Sequence, residues 1–265
     1  MDDTCGGAEP FRRIRDGGSL YADRSPLVSR ILERNDAEAF LFTRPHGFGK
    51  TLALSMLAAY FGRDAGRRFD DLEIIRLRPD DPEMGAYPVV FLSLGGLDTG
   101  TEEGFEADLS ARIAGLYGEH GCLSDSDRLS GRDREDYRRM LGGGGDLSDL
   151  RESLSDLCIM LKRHHGVGPV LLIDDYDDPL NSSRGSGTQE GIRDIVGGLL
   201  GNVLKSEDPP FRLAVVMGMT PLRRTGLSSR LDNLLENGVS DKGFEGLFGR
   251  VGGTAGTQEA SGPMA

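Results

Sequence analysis

The chain has 265 residues, with 31 basic and 43 acidic side chains and a net charge of −12. That length suits one large domain, or one domain with a small appendage, and buries a full core. The acidic balance argues against bulk attraction to nucleic acid, leaving room only for a local basic patch. No run approaches the ~20 apolar residues of a membrane-spanning helix, and Met1 to Pro10 has no apolar segment of a secretory signal. Cys5, Cys122 and Cys158 are widely spaced and form neither a metal-ligand pair nor a disulfide framework, so a cytoplasmic location is the simple expectation.

Residues 1–10 read as a flexible leader, followed by the basic Phe11 to Arg15 and a Gly17-Gly18 turn. Leu20-Tyr21 is a candidate short strand. Ser25 is placed to cap a helix with Pro26 at its first position, running to about Arg34 with Leu27, Val28 and Ile31 inward. Asn35-Asp36 breaks it. Ala39 to Phe42 is a short apolar run, read as a buried strand, and Leu52 to Phe61 is long and apolar enough for a helix.

Between them lies Thr43-Arg44-Pro45-His46-Gly47-Phe48-Gly49-Lys50-Thr51. Strand, tight loop, Gly-Lys-Thr and helix is the arrangement of a phosphate-binding P-loop. Backbone N–H groups at a helix N-terminus form a positive nest for phosphate oxygens, and Gly47 and Gly49 let the chain curl close to them. Lys50 brings a point charge to the phosphates, and Thr51 brings a hydroxyl to a bound Mg2+. Arg44 occupies the position where the usual pattern has its first Gly. The candidate nucleotide-binding residues are therefore Arg44, Pro45, His46, Gly47, Phe48, Gly49, Lys50 and Thr51.

Asp80 to Gly85 is an acidic turn, and Tyr87 to Leu94 a second strand closed by Gly95-Gly96. Phe105, Leu109, Ile113 and Leu116 share one face of a helix over Phe105 to Tyr117. Residues 124–145 read as an exposed Gly-rich connector with a short helix near Tyr137 to Leu141. Asp146 caps a helix with a stripe of Leu147, Leu150, Leu154, Leu157 and Leu161. His164 and His165 stand at its end. Adjacent residues do not share a helix face, so a helix terminus that tolerates His outweighs a metal site there.

Val170-Leu171-Leu172-Ile173-Asp174-Asp175 is a third strand running into acids, the Walker B pattern. A buried strand of this kind delivers a carboxylate to its edge. Asp174 would hold Mg2+ with Thr51, and Asp175 would orient or deprotonate water. Lys50 and Asp175 are thus the candidate catalytic residues. Asn181 to Gly187 is a polar loop. Thr188 to Lys205 is a helix interrupted by Gly197, Gly198 and Gly201, and Pro209-Pro210 stops it. Phe211 to Gly218 is a fourth strand. The loop after it offers Thr220, Arg223 and Arg224 as candidate sensors of the phosphate. Leu222 to Asn237 reads as partly helical, and residues 250–265 as a disordered tail. Strands alternating with helices imply an α/β fold with a mainly parallel sheet covered on both faces, ligands sitting at its carboxyl edge.

Several segments together resemble the AAA-ATPase-like proteins of bacteria and archaea, many of which carry a PD-(D/E)xK nuclease domain after the ATPase part. Tyr21-Ala22-Asp23-Arg24-Ser25 is similar to the family's Tyr-Val-Asp-Lys-Thr opening, and Arg44-Pro45-His46-Gly47-Phe48-Gly49-Lys50-Thr51 to its Arg-Pro-Arg-Arg-Phe-Gly-Lys-Thr loop. Leu172 to Leu180 is similar to Leu-Ile-Asp-Glu-Tyr-Asp-Lys-Pro-Leu, and Ser229 to Leu234 to Ser-Gly-Leu-Asn-Asn-Leu. The resemblance covers residues 11–249 and implies an AAA-like P-loop domain that binds ATP with Mg2+. It leaves open a homo-oligomer and a protein or nucleic-acid effector.

The departures are His46-Gly47 for Arg-Arg, Asp175 for Glu and Asp178 for Lys, and a chain that stops where relatives continue, with no fifth strand or nuclease domain in view. The expected function is a Mg2+-dependent ATPase. The alternative is a nucleotide-binding regulatory module with weak or no hydrolysis. A small-molecule kinase would need a basic lid that is not evident, and a degenerate fragment would lack a stable fold.

Overall fold

The computed structural model describes residues 6–34, 37–63, 65–239, 243–244 and 246–248. Its centre is a five-stranded parallel sheet, with β1 (Ala39–Thr43), β2 (Val89–Ser93), β3 (Val170–Asp174), β4 (Leu213–Gly218) and β5 (Leu235–Asn237) in the order β2-β3-β4-β1-β5. The three central strands are apolar along their length and wholly buried, as strands covered on both faces must be. Successive side chains alternate between two cores. Phe40, Phe42, Leu172, Val215 and Met217 face α1 (Glu9–Asp16), α2 (Pro26–Leu32) and α3 (Lys50–Phe61). Leu41, Leu171, Ile173, Ala214 and Val216 face the other layer: α5 (Glu102–Gly118), α6 (Gly131–Leu141), α7 (Leu147–His165) and α9 (Gln189–Leu204). The α/β class with a parallel sheet and helices on both faces is therefore what the chain adopts.

Helix α3 is apolar all round because it is enclosed all round, from Ala53 to Phe61. Part of its cover comes from residues 6–10, expected in the flexible leader. Gly6–Ala8 form a 3-10 turn that runs into α1, Ala8 is buried, and Gly7 lies against the Phe91 ring with no room for a Cβ. The Phe11 amide donates to Ser55 Oγ at 2.8 Å, and its ring packs on Tyr21 and Phe69. Most of these contacts join residues far apart in the sequence, 44 positions for Phe11 and Ser55, and leave no local periodic sign. The expected strand at Leu20-Tyr21 is absent: Leu20 is exposed, and Tyr21 packs edge-on against Phe11.

Ser25 precedes Pro26 as expected but does not cap α2. Its hydroxyl accepts from the Ile74 amide at 3.1 Å, while Asp23 accepts from the Ser25 and Glu73 amides at 2.8 Å each. Together they satisfy the N-terminus of α4 (Glu73–Leu77), a helix too short to register as a periodic pattern.

The stretch expected as an exposed connector holds α6, eleven residues long and opened by a Ser130–Asp133 capping box. Its Tyr137 is buried, stacks on Tyr117, and donates to the carbonyls of Tyr117 and His120 at 3.0 and 3.2 Å. Only Tyr137 and Met140 of α6 are buried, so its polar composition hid its packing. After β4, a 3-10 turn at Leu222–Arg224 leads through turns to β5, which pairs with β1 through Phe40↔Leu235 to Phe42↔Asn237. A fifth strand does exist, where partial helix was expected. Three residues are too few to stand out, and the pairing edge of β1 defines them. Asn35-Asp36 and the expected tail at 250–265 lie outside the described residues.

Candidate functional site

The carboxyl edge of the sheet gathers the ends of β1, β3 and β4. Leaving β1, the chain turns through residues 44–49, with Gly47 at φ 79° and Gly49 at φ 71°. Left-handed backbone suits glycine there, and Gly47 has open space where a Cβ would stand. Helix α3 begins at Lys50 with no side-chain cap, leaving the arrangement of first-turn amides that suits an anion. Lys50 is nearly buried, and its Nζ reaches the carbonyls of Arg44 and Pro45 at 3.3 and 3.5 Å. Pro45, His46 and Gly47 form the exposed rim, and Phe48 packs against the aromatic core.

Two arginines hold this loop from behind. Arg24 is buried and donates from one guanidinium nitrogen to the carbonyls of Phe48 and Gly49, at 3.0 and 2.8 Å. Its guanidinium fills the place a Gly49 side chain would need. Arg44 is buried too. Its guanidinium donates to the carbonyls of Thr43 and Asn237, at 2.9 and 2.8 Å, and lies 4.6 Å from the centre of the Phe248 ring. Arg44 thus clamps β5 to β1 with its side chain, leaving its main chain to the loop.

Asp174 ends β3 nearly buried, at 2% exposure, and accepts from Thr51 Oγ1 at 2.6 Å. These residues lie 123 positions apart and meet because β4 alone separates β1 from β3. Burial pushes the Asp174 carboxyl above the usual carboxylate range, against the Thr51 hydrogen bond and the Lys50 charge. Asp175 is also pushed up, first by burial and then by the neighbouring Asp174 charge. Its φ of 49° is left-handed, a conformation uncommon outside glycine and tolerated best by Asp and Asn. The pair is a place where negative charge costs energy until a cation shares it.

Sequence reasoning missed Asp177. It is 1% exposed and accepts from the Met219 amide at 3.1 Å, the Thr220 amide at 2.7 Å and Asn181 Nδ2 at 2.8 Å. Tyr176 donates its hydroxyl to the Thr220 carbonyl. The acidic run after β3 therefore fastens the loop after β4, and Thr220 Oγ1 is engaged by Asn181. The signal that could have found Asp177 is its place in the segment from Leu172 to Leu180 that carries the family resemblance. Arg223 and Arg224 are exposed. Arg224 lines a separate cavity of about 260 Å³ with Asn181, Arg184, Gln189 and Arg193, whose walls do not include residues 44–51. The structure thus brings Lys50, Thr51, Asp174 and Asp175 to one edge, places Thr220 in a layer behind Asp177, and turns Arg224 toward α8 (Asp178–Ser182) and α9.

No helix among the described residues is long and apolar enough to cross a membrane. The chain is 27% identical over 253 residues to an "uncharacterized protein in vnfD 5'region" of Azotobacter chroococcum mcd 1, a match covering 92% of this chain and 42% of that protein. It therefore spans less than half the length of that relative. A family model described as "Predicted AAA-ATPase" matches residues 6–228. That span carries the glycine loop, Asp174 and Thr220, and the chain belongs to this predicted AAA-ATPase family.

Proposed function

We propose that this protein is a Mg2+-dependent, ATP-binding P-loop protein that hydrolyses ATP. The observation that carries the reading is the 2.6 Å hydrogen bond between Thr51 Oγ1 and Asp174 Oδ2, which joins the two motifs at one point. A hydroxyl and a buried carboxylate so close form an oxygen pair suited to a hard cation. The amides of Gly47 to Thr51 would hold phosphate oxygens, and Lys50 would turn from the carbonyls of Arg44 and Pro45 to the phosphate charge. Pro45 and His46 would border the phosphates, and Arg44 and Arg24 would keep the loop in shape. Mg2+, when bound, would supply positive charge beside the transferred phosphate. Asp175, held toward the proton-accepting range by burial, would orient or deprotonate the attacking water. Thr220 would report the state of the site through Asn181 and Asp177. The cytoplasm, with its ATP, is the compartment this reading requires.

A second reading is favoured by one observation: Asp175 is a methylene shorter than the family's Glu and sits in left-handed backbone. A misplacement of ~1 Å can cost ~100-fold in rate. The protein would then be a nucleotide-gated interaction module. The experiment is ATP binding and hydrolysis by the purified chain, with and without Mg2+, beside Lys50→Ala and Asp174→Ala. Mg2+-dependent turnover lost in both variants supports the ATPase. Lys50-dependent binding without turnover selects the module. No binding by a folded chain overturns both.

A further inference from the structure

Away from the phosphate loop, Cys122, His164 and His165 each turn one donor atom into a space where the three lie within 4.8 Å of one another. They come from different parts of the chain. Cys122 is the middle of the 3-10 turn Gly121–Leu123 that follows α5, and the two histidines are the last residues of α7. Adjacent helical residues ordinarily point apart. Here the helix stops after His165, where Gly166 adopts φ 77°, and the two imidazoles stand nearly perpendicular with centres 4.6 Å apart.

The surroundings are built rather than loose. Leu123, next to Cys122, is fully buried and anchors the turn. Ser126 is 3% exposed, its hydroxyl lies 2.7 Å from His164 Nδ1, and its carbonyl accepts from Arg134 at 2.8 Å. Arg128 donates to the His164 carbonyl at 2.9 Å, fixing the end of the helix from the backbone side. An oxygen on an imidazole nitrogen is the usual outer partner of a metal-bound histidine. All three donors are partly buried, sheltered from bulk water yet open to an entering ion.

We propose that Cys122, His164 and His165 form a binding site for a zinc-type divalent cation, with water as the fourth ligand. One thiolate and two imidazoles match the borderline-soft N/S donors that zinc prefers over the oxygen donors of magnesium. Zn–S of ~2.3 Å and Zn–N of ~2.0–2.1 Å in a tetrahedron require donors ~3.3–3.6 Å apart. Side-chain rotation of about 1 Å closes the set from its present spacing. The Cys122 thiol releases its proton on binding, and the ion then ties the turn after α5 to the end of α7. The site is independent of the nucleotide reading, since none of its residues belongs to the phosphate loop.

The test is Co2+ titration of the reduced full chain in a Cys5→Ser background. Cys158, fully buried with its thiol pushed up by burial, does not compete. The expected result is one equivalent of Co2+ with intense tetrahedral visible bands and a sulfur-to-cobalt charge-transfer band. Both are lost in Cys122→Ser and in His165→Ala, and both are retained in Asp174→Ala, which removes the proposed Mg2+ ligand. Ser126→Ala weakens binding by about tenfold. Absence of the charge-transfer band in the parent chain, or its survival in Cys122→Ser, overturns the proposal. Circular dichroism on each variant separates lost binding from lost fold, and the parent chain needs no variant to fail.

Discussion

Replacing Asp177 by Ala removes the acceptor that ties the end of β3 to the loop after β4. The carboxylate is 1% exposed and serves three donors: the Met219 amide, the Thr220 amide and Asn181 Nδ2. Hydrogen bonds to a charged group contribute about 1.5–3 kcal/mol each, and a stranded buried donor costs about 1–3 kcal/mol. Relief from burying the charge offsets part of this, so the expected net loss is about 3 kcal/mol. For a chain of this size that lowers Tm by about 6–12 °C. Asp177→Asn with its oxygen in the Oδ2 place keeps the acceptor shared by the Thr220 amide and Asn181 Nδ2 but sets an NH2 in the Oδ1 place, against the Met219 amide, and should lose about 1 kcal/mol. Asp178→Ala is the control. Its carboxylate accepts from the exposed Gly96 amide, and its loss should stay within about 0.5 kcal/mol. Thermal and urea melts of the three variants test the reasoning. An Asp177→Ala loss below about 0.5 kcal/mol, or one equal to that of Asp177→Asn, would refute the account of Asp177 as a shared acceptor.

Two further outcomes follow from the loop and its acids. Gly49→Ala forces a side chain into left-handed backbone, costing about 1–2 kcal/mol, and into the space held by the Arg24 guanidinium. Titration with a fluorescent ATP analogue should show binding weakened at least about tenfold, and unchanged affinity would show that the loop conformation is not the binding one. Asp174→Asn tests the buried carboxyl. Because the folded state raises its pKa, the folded protein keeps the proton to higher pH than the unfolded chain. Stability therefore falls as pH rises from about 4 through the raised value. The Asn variant should melt higher than the parent at pH 7, with a flatter profile between pH 4 and 7, while losing Mg2+-dependent nucleotide binding. A variant less stable than the parent at pH 7 would mean that ionised Asp174 stabilises the fold.

Local patterning along the chain is enough to mark the four longer strands and their alternation with helices. An apolar run stopped by glycines or acids is a local pattern, and the backbone reads it locally. The strand, glycine turn and helix that carry Lys50 and Thr51 follow one another within a dozen residues, and Asp174 ends an apolar strand of its own. Other features rest on residues far apart in the chain. The insertion of β4 between β1 and β3 brings Thr51 to Asp174, and the pairing edge of β1 makes a strand of Leu235–Asn237. The amide of Ile74 takes Ser25 from its own helix. Arg44, read beside the phosphates, turns its guanidinium to Asn237 and Phe248 because a buried cation seeks carbonyls and an aromatic face. Cys122 meets His164 and His165 only because α7 ends where the turn after α5 passes. Such contacts depend on which surfaces pack together, and no periodicity along the chain encodes them.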